Sequence, residues 1–180
     1  TPESLMALAI FLDAHAVCGD AALLEGLRAQ VFELVIGNDA LMARFAAAID
    51  AFDQASGWWN RLFTAGEAQL DLKKLGTFPL VHGIRAMALE ARLPATGTVE
   101  RIHALVAAGR LPPELAPELI DSLHFFMGLK LKLGLAGQGS GREVSLEQLD
   151  ALDRQLLKDT LGVVKRFKAL LRHRYRLDAL

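Results

Sequence analysis

A histidine and an arginine, His82 and Arg85, stand three positions apart in an apolar stretch of the chain. Residues at this spacing lie on the same face of a helix. An imidazole beside a guanidinium can hold a phosphate or a carboxylate. The alternative is that His82 is a core histidine bonded to a backbone carbonyl. The spacing alone leaves both interpretations open.

A short charged turn precedes this pair and strengthens the first interpretation. It contains Asp71 and Lys73 and is followed by Gly76. A cation so close to a His/Arg pair is unusual in a helix that only fills a core, so Lys73 joins the candidate binding residues. Arg101, three residues after Thr98, is a further candidate for a buried cation, although Glu100 or Glu90 could simply neutralise it.

The last predicted helix is strongly basic and offers another candidate, Lys158. Lys158 and Lys165 are seven residues apart on one face and could line an anionic cleft. Alternatively, cations near a helix C-terminus interact favourably with its dipole, and their long stems cover apolar surface. The net charge of -1 and the lack of interleaved aromatic residues argue against nucleic-acid binding.

Other common kinds of site are not supported by the sequence. None of the 5 histidines has a second His or Cys at zinc-site spacing. The glycine-rich segment 137–141 lacks the Lys-Ser/Thr of a phosphate-binding loop, so it is interpreted as a linker. Cys18 is the only cysteine and lacks the pattern of a catalytic thiol; a single cysteine is typical of a reducing cytoplasm.

Hydrophobic residues make up 52% of the 180 residues, mostly in helical patterns. We therefore predict an all-α fold, an up-and-down bundle of six to seven helices. Residues 9–13 fit either a helix or a short strand. The aromatic residues Trp58, Trp59 and Phe63 are expected to lie over the bundle like a lid. The longest uncharged apolar run is far shorter than the roughly 20 residues that a membrane helix needs, and no signal peptide is evident.

The stretch from Asp71 to Glu90 resembles the central signature of the putative nucleotidyltransferase substrate-binding domain. Residues 98–102, Thr-Val-Glu-Arg-Ile, are similar to the T-x-E-R-h segment of that family, and residues 156–159, Leu-Leu-Lys-Asp, to its L-L-K-[ED] segment. Residues 130–134 carry lysines where the family usually has arginines. The resemblance covers essentially the whole chain.

Residues 10–20 resemble the strand that closes the neighbouring catalytic domain, I-F-F-D-x-R-x-V-x-G-D. In that superfamily three carboxylates bind two metal ions. By this resemblance Asp13 is the third carboxylate and a magnesium ligand in the full-length enzyme, although His15 replaces the usual arginine. The Gly-Ser and Asp-x-Asp pattern that supplies the other carboxylates does not occur in this sequence, so whether this chain is an enzyme stays uncertain and we expect no transfer activity from it alone.

The resemblance implies that residues 1–20 are the remnant of a nucleotidyltransferase catalytic domain and residues 21–180 are a helical substrate-binding domain. The implied parent is a cytoplasmic bacterial signalling protein similar to the protein-PII uridylyltransferases, often joined to CBS or cyclic-nucleotide-binding domains. It would take a nucleotide triphosphate and transfer the nucleoside monophosphate to a protein or small acceptor. Its substrate cleft would be lined by five side chains, those of Lys73, His82, Arg85, Arg101 and Lys158. The competing hypothesis is an interaction module that forms a homodimer or relays a sensor signal.

Overall fold

The computed structural model describes residues 1–50, 69–137 and 143–179 of the chain. The predicted all-α class is confirmed, with seven α-helices in these ranges. They are α1 (Pro2–Leu12), α2 (Ala21–Val35), α3 (Asp39–Ala46), α4 (Phe78–Glu90), α5 (Thr98–Ala107), α6 (Leu115–Leu135) and α7 (Ala151–Tyr175). The predicted lid residues Trp58, Trp59 and Phe63, and most of the predicted linker 137–141, lie outside the described residues.

The chain divides into two compact units. Unit 1 comprises Thr1–Ala48, Val81–Ala116 and Leu171–Leu180, and unit 2 comprises Ile49–Leu80 and Pro117–Leu170. Residues 1–20 therefore belong to the same compact unit as α2 and α5. The predicted domain boundary after residue 20 stays a prediction.

Helix ends in unit 1 follow local capping signals. The Thr1 hydroxyl accepts a hydrogen bond from the backbone N–H of Ser4 at 3.3 Å, and Pro2 begins α1. Asn38 caps α3 through the N–H of Leu41 at 3.1 Å. The core of this unit consists of large apolar side chains that are almost completely buried, among them Phe45, Ile84, Met87, Ile102 and Leu105.

The alternative that residues 9–13 form a strand is wrong. These residues complete α1, and Asp13 ends the helix with a backbone N–H bonded to the carbonyls of Ile10 and Phe11. Residues 9–12 are uniformly apolar, so they have no alternation that would distinguish the two structures. The proline at the start of α1 and the cap at Thr1 supply the helical signal instead.

Unit 2 contains the one β-element of the described residues, which the sequence did not reveal. Strand β1 (Gln69–Asp71) pairs antiparallel with β2 (Glu143–Ser145), with Leu70 opposite Val144. Both of these side chains are buried. Three-residue strands are too short to show a period of two, and the sheet joins segments far apart in sequence.

The signature turn of unit 2 is a π-helical turn, Lys73–Thr77, that leads directly into α4. The carboxylate of Asp71 accepts a hydrogen bond from the N–H of Lys74 at 3.0 Å, which fixes the entry to the turn. Gly76 is buried and lies against the ring of Phe126 from α6. The signature glycine thus has a packing role. In the described part of the chain, no helix is long and apolar enough to cross a membrane.

Candidate functional site

In unit 1, the carboxylate of Asp13 lies at the C-terminus of α1 and accepts hydrogen bonds from arginines of two other helices. Arg85 of α4 donates from Nε to Oδ1 at 3.1 Å and from Nη2 to Oδ2. Arg101 of α5 donates from Nη1 to Oδ1 at 2.7 Å. Three N–H donors therefore converge on one carboxylate, in the fork geometry by which arginine recognises carboxylates and phosphates.

Arg101 is the more deeply buried of the two arginines, with 3% of its side chain exposed. Its remaining donors bind backbone carbonyls: Nε that of Ala95 at 2.7 Å and Nη2 that of Leu12 at 2.8 Å. Its carboxylate partner is Asp13. Glu100, one of the partners that the sequence suggested, instead accepts a hydrogen bond from the N–H of Gly97 at the start of α5.

His82 has the environment of a core histidine and also contacts Arg85. Its Nε2 lies 2.7 Å from the carbonyl oxygen of Phe45, so Nε2 carries the proton and donates. Nδ1 is then free of a proton and accepts from Nη1 of Arg85 at 3.4 Å. His82 is buried, with 4% of its surface exposed. It positions the guanidinium of Arg85, and its role as a direct substrate ligand stays a prediction.

Burial of the ring lowers the pKa of His82, and the charge of Arg85 lowers it further against the raising effects of Phe45 and Asp13. The neutral form is therefore favoured in the folded protein. Below about pH 6.5, the usual pKa of histidine, the unfolded chain binds a proton that the folded chain does not, so the free energy of unfolding should decrease as the pH falls. Urea unfolding at pH 7.5 and 5.5 measures this.

In His82→Gln the decrease should be smaller than in the parent protein, because the group that titrates has been removed. His103→Gln is the matched control, since His103 is exposed and on α5. A pH dependence that is the same in all three proteins would contradict a neutral, buried His82.

Arg28 on α2 is a third arginine of the cluster, and the sequence patterns did not single it out. It is buried and donates from Nη1 to Glu25 and from Nη2 to the carbonyl of Ala14, both at 2.7 Å. Its Nε is buried without a hydrogen-bond partner in the described residues. Arg28 and Arg101 thus hold the backbone on either side of Asp13, whereas Arg85 holds only its carboxylate. No spacing rule links Arg28 to the signature, because Glu25 lies on the same helix and the contact with Ala14 is tertiary.

The arginines determine the charge state of Asp13. Burial opposes its ionisation, but the hydrogen bonds and charges of Arg85 and Arg101 outweigh burial and lower the pKa of Asp13. Around this carboxylate the guanidinium groups of Arg28, Arg85 and Arg101 outnumber the acids, which are Asp13 and Glu25. The carboxylate of Asp13 is therefore ionised and held in place, and the cluster as a whole carries a positive charge.

This geometry bears on the predicted magnesium site. Both oxygens of Asp13 are bonded to guanidinium groups. Within the described ranges no group of three or more His, Cys, Asp or Glu side chains could hold a metal ion. A hard divalent cation requires several oxygen ligands and is repelled by neighbouring cations, so these residues do not by themselves fit magnesium. The role of Asp13 as a metal ligand stays a prediction that depends on carboxylates from a catalytic domain.

The other two predicted binding residues lie in unit 2. Lys73 is on the π-helical turn and Lys158 is on α7, and both are exposed. The structure therefore brings together His82, Arg85 and Arg101 and adds Asp13 and Arg28 to them. The part of Lys73 and Lys158 in substrate binding stays a prediction.

Comparison with known proteins agrees with the resemblance seen in the sequence. A family model described as "putative nucleotidyltransferase substrate binding domain" matches residues 39–175. The match includes His82, Arg85 and Arg101, whereas Asp13 and Arg28 precede it. No curated protein and no solved structure matches the chain. Because the matched residues make up more than half of the sequence, the chain belongs to the family of putative nucleotidyltransferase substrate-binding domains.

Proposed function

We propose that this chain holds an anionic substrate of a nucleotidyltransferase, and that Arg85 and Arg101 form the anion subsite. The anion is a phosphate of the nucleotide triphosphate or an anionic group of the acceptor. One observation carries this proposal: two arginines from α4 and α5 direct three N–H donors at a single carboxylate. A phosphate oxygen presents the same acceptor geometry as the carboxylate of Asp13.

Arg85 is the better placed of the two arginines to exchange partners. Among the described residues, its hydrogen bonds go to Asp13 and His82 alone, and 12% of its side chain is exposed. Asp13 itself is 40% exposed, so the carboxylate faces solvent on one side. A substrate anion that replaced this carboxylate would meet a guanidinium already oriented by His82. Asp13 would then act as an internal competitor that neutralises the site when no substrate is bound.

Calorimetric titration with ATP and UTP tests the proposal. Asp13→Asn keeps the shape of the side chain and removes its charge, so it should strengthen nucleotide binding. Arg85→Ala should weaken binding at least about tenfold, since a hydrogen bond to a charged group contributes about 1.5–3 kcal/mol. Arg110→Ala is the control, because Arg110 is an exposed arginine just after α5.

The same variants separate this proposal from the metal-ligand prediction for Asp13. If Asp13 binds magnesium in a longer protein that includes the catalytic region, Asp13→Asn should abolish magnesium-dependent binding there. Stronger nucleotide binding to the Asp13→Asn variant of the present chain supports the hypothesis that Asp13 competes with the substrate anion. Binding that is unchanged in Arg85→Ala would overturn the anion subsite.

We place the parent protein in a bacterial signalling system in the cytoplasm, where it transfers a nucleoside monophosphate to a protein or small acceptor. The family match supports the substrate-binding role. The single cysteine, Cys18, is typical of proteins in a reducing compartment. Purification of the longer protein, followed by assay of nucleotide incorporation into acceptor proteins, tests the transfer reaction.

The second candidate function is homodimerisation, and an exposed apolar stripe on α2 favours it. Leu23, Leu27 and Leu34 lie on one helical face and are 72%, 53% and 69% exposed. If this stripe is the interface, Leu27→Lys with Leu34→Lys should raise the dimer dissociation constant at least about tenfold, because each buried leucine contributes about 1.5–3 kcal/mol. Sedimentation equilibrium measures this, and a monomeric parent protein would exclude the candidate.

A further inference from the structure

A cavity in unit 1, open to solvent on one side, lies at the C-terminal end of α4 and is separate from the arginine cluster around Asp13. It has a volume of about 610 Å³. Glu90 and Arg92 line it from the end of α4, five or more residues beyond Arg85. The ends of α2 and α7 and the start of α3 form the other walls. Its size is within the range of about 300–1,000 Å³ that is typical of small-molecule sites.

The backbone at two arginines of this cavity adopts a conformation that usually requires glycine. Arg92 follows α4 with φ 55°, and Arg176 follows α7 with φ 52°. They are the two non-glycine residues with positive φ in the described part of the chain, and both line the cavity. At the corresponding positions after α2 and α5 the chain has Gly37 and Gly109. A long side chain in the left-handed region is strained, and such strain is concentrated at binding sites.

Helix-dipole stabilisation does not account for Arg176. The last turn of α7 already contains Arg172, His173 and Arg174, which satisfy the preference for cations at a helix C-terminus. Glycine at position 176 would end the helix without strain. Neither the helix dipole nor the end of the helix therefore requires the guanidinium of Arg176.

Glu90 is the ion-pair partner of Arg174, one of the three arginines that line the cavity. Its Oε2 accepts from Nε of Arg174 at 2.7 Å and from the hydroxyl of Tyr175 at 2.8 Å. This carboxylate orients Arg174 and offsets its charge. Arg92 and Arg176 are exposed, and neither has an ion-pair partner among the described residues. Two guanidinium groups are thus available to a ligand at the mouth of the cavity.

The wall formed by the end of α2 and the start of α3 is apolar apart from the carboxylate of Asp39. Val35 and Met42 are buried side chains of α2 and α3 that line the cavity, and Ala40 and Ala43 also line it. Even with Asp39 included, the three arginines of the lining outnumber its two carboxylates. A ligand that fills the cavity would place a charged group at the arginines and an uncharged body against these side chains. The two surfaces together favour a ligand that combines an anionic group with an apolar body.

We propose that this cavity binds an organic phosphate with an apolar or aromatic body, held by Arg92 and Arg176. Phenyl phosphate is a suitable probe. Inorganic phosphate is the matched control, because it has the same anionic group and lacks the aromatic ring. Phenyl phosphate should bind at least about tenfold more tightly than inorganic phosphate, because its ring is buried against the apolar wall.

The variants Arg92→Gly and Arg176→Gly test the site without endangering the fold. Glycine relieves the strained backbone, so thermal stability should be unchanged or higher, while the affinity for phenyl phosphate should fall at least about tenfold in the double variant. Arg110→Ala removes an exposed arginine away from the cavity and should leave the affinity unchanged.

Three results would overturn the proposal. They are no binding of phenyl phosphate to the parent protein, equal affinity for phenyl phosphate and inorganic phosphate, or an affinity that persists in the double variant. The outcome is independent of nucleotide binding at Arg85, because these variants leave Asp13, His82 and Arg101 intact.

Discussion

Replacing Gly76 by alanine should lower the free energy of unfolding by about 3 kcal/mol, because no room exists for a methyl group. A Cβ at this position would lie 2.6 Å from Cε2 of Phe126 and closer still to Cζ of the same ring. Phe126 is 1% exposed, so its ring is enclosed on all sides and cannot move away cheaply. Urea unfolding of the variant and the parent protein measures the loss.

Gly128→Ala is the matched control for this substitution. Gly128 lies on α6, two residues from Phe126, and a Cβ there would have no neighbour within 4 Å. At an exposed position in the middle of a helix, such as that of Gly128, alanine is favoured over glycine by about 1 kcal/mol, so this variant should be more stable than the parent. If Gly76→Ala and Gly128→Ala changed the free energy of unfolding equally, close packing against Phe126 could not be the reason for a glycine at position 76.

The helices could be predicted because their signals are local. The side chain of Asn38 caps α3, and Glu100 accepts from the N–H of Gly97 at the start of α5, so each of these contacts joins residues only three positions apart. The two-stranded sheet could not be predicted, since Leu70 and Val144 pair across 74 positions of sequence and each strand is only three residues long. Nothing in either strand taken alone indicates its partner.

The sequence could predict the cationic residues of the candidate site but not the carboxylate that they bind. Spacing identified His82 and Arg85, because residues three apart share a helix face. It could not show that their partner is Asp13, which is 72 positions from Arg85 and 88 from Arg101. Asp13 was identified through its resemblance to a catalytic carboxylate, whereas the structure shows its carboxylate in an arginine cluster. Spacing does not identify Arg28, because Arg28 and Ala14 become neighbours only when α2 packs against the end of α1.

The two arginines that bind Asp13 differ in how much of the fold depends on them. Arg85 makes no hydrogen bond to the backbone in the described residues, whereas Arg101 binds two backbone carbonyls as well as Asp13. Arg101 therefore joins the end of α1 to the segment before α5. Loss of Arg85 should mainly affect anion binding, and loss of Arg101 should mainly affect stability.

Arg101→Ala should lower the free energy of unfolding by about 2–4 kcal/mol. The substitution leaves the carbonyl of Leu12 without its donor in a buried position and removes a charged partner from Asp13. Arg101→Lys should recover only part of this loss, because one ammonium group cannot reach the carbonyls of Leu12 and Ala95 and the carboxylate of Asp13 in their different directions. Urea unfolding at pH 7.5 measures both variants.

The pH dependence of Arg101→Ala gives an independent check on the same contact. The lowered pKa of Asp13 stabilises the folded protein above about pH 3.9, the unfolded value, and this stabilisation is lost as the pH falls through the folded value. Without Arg101 the folded pKa of Asp13 should rise, so the difference in stability between variant and parent should shrink as the medium becomes acidic. Arg110→Ala should stay within about 0.5 kcal/mol of the parent protein at every pH. If Arg101→Ala proved as stable as that control, Arg101 could not be the residue that joins α1 to α5, and its donors would have to be assigned to substrate binding alone.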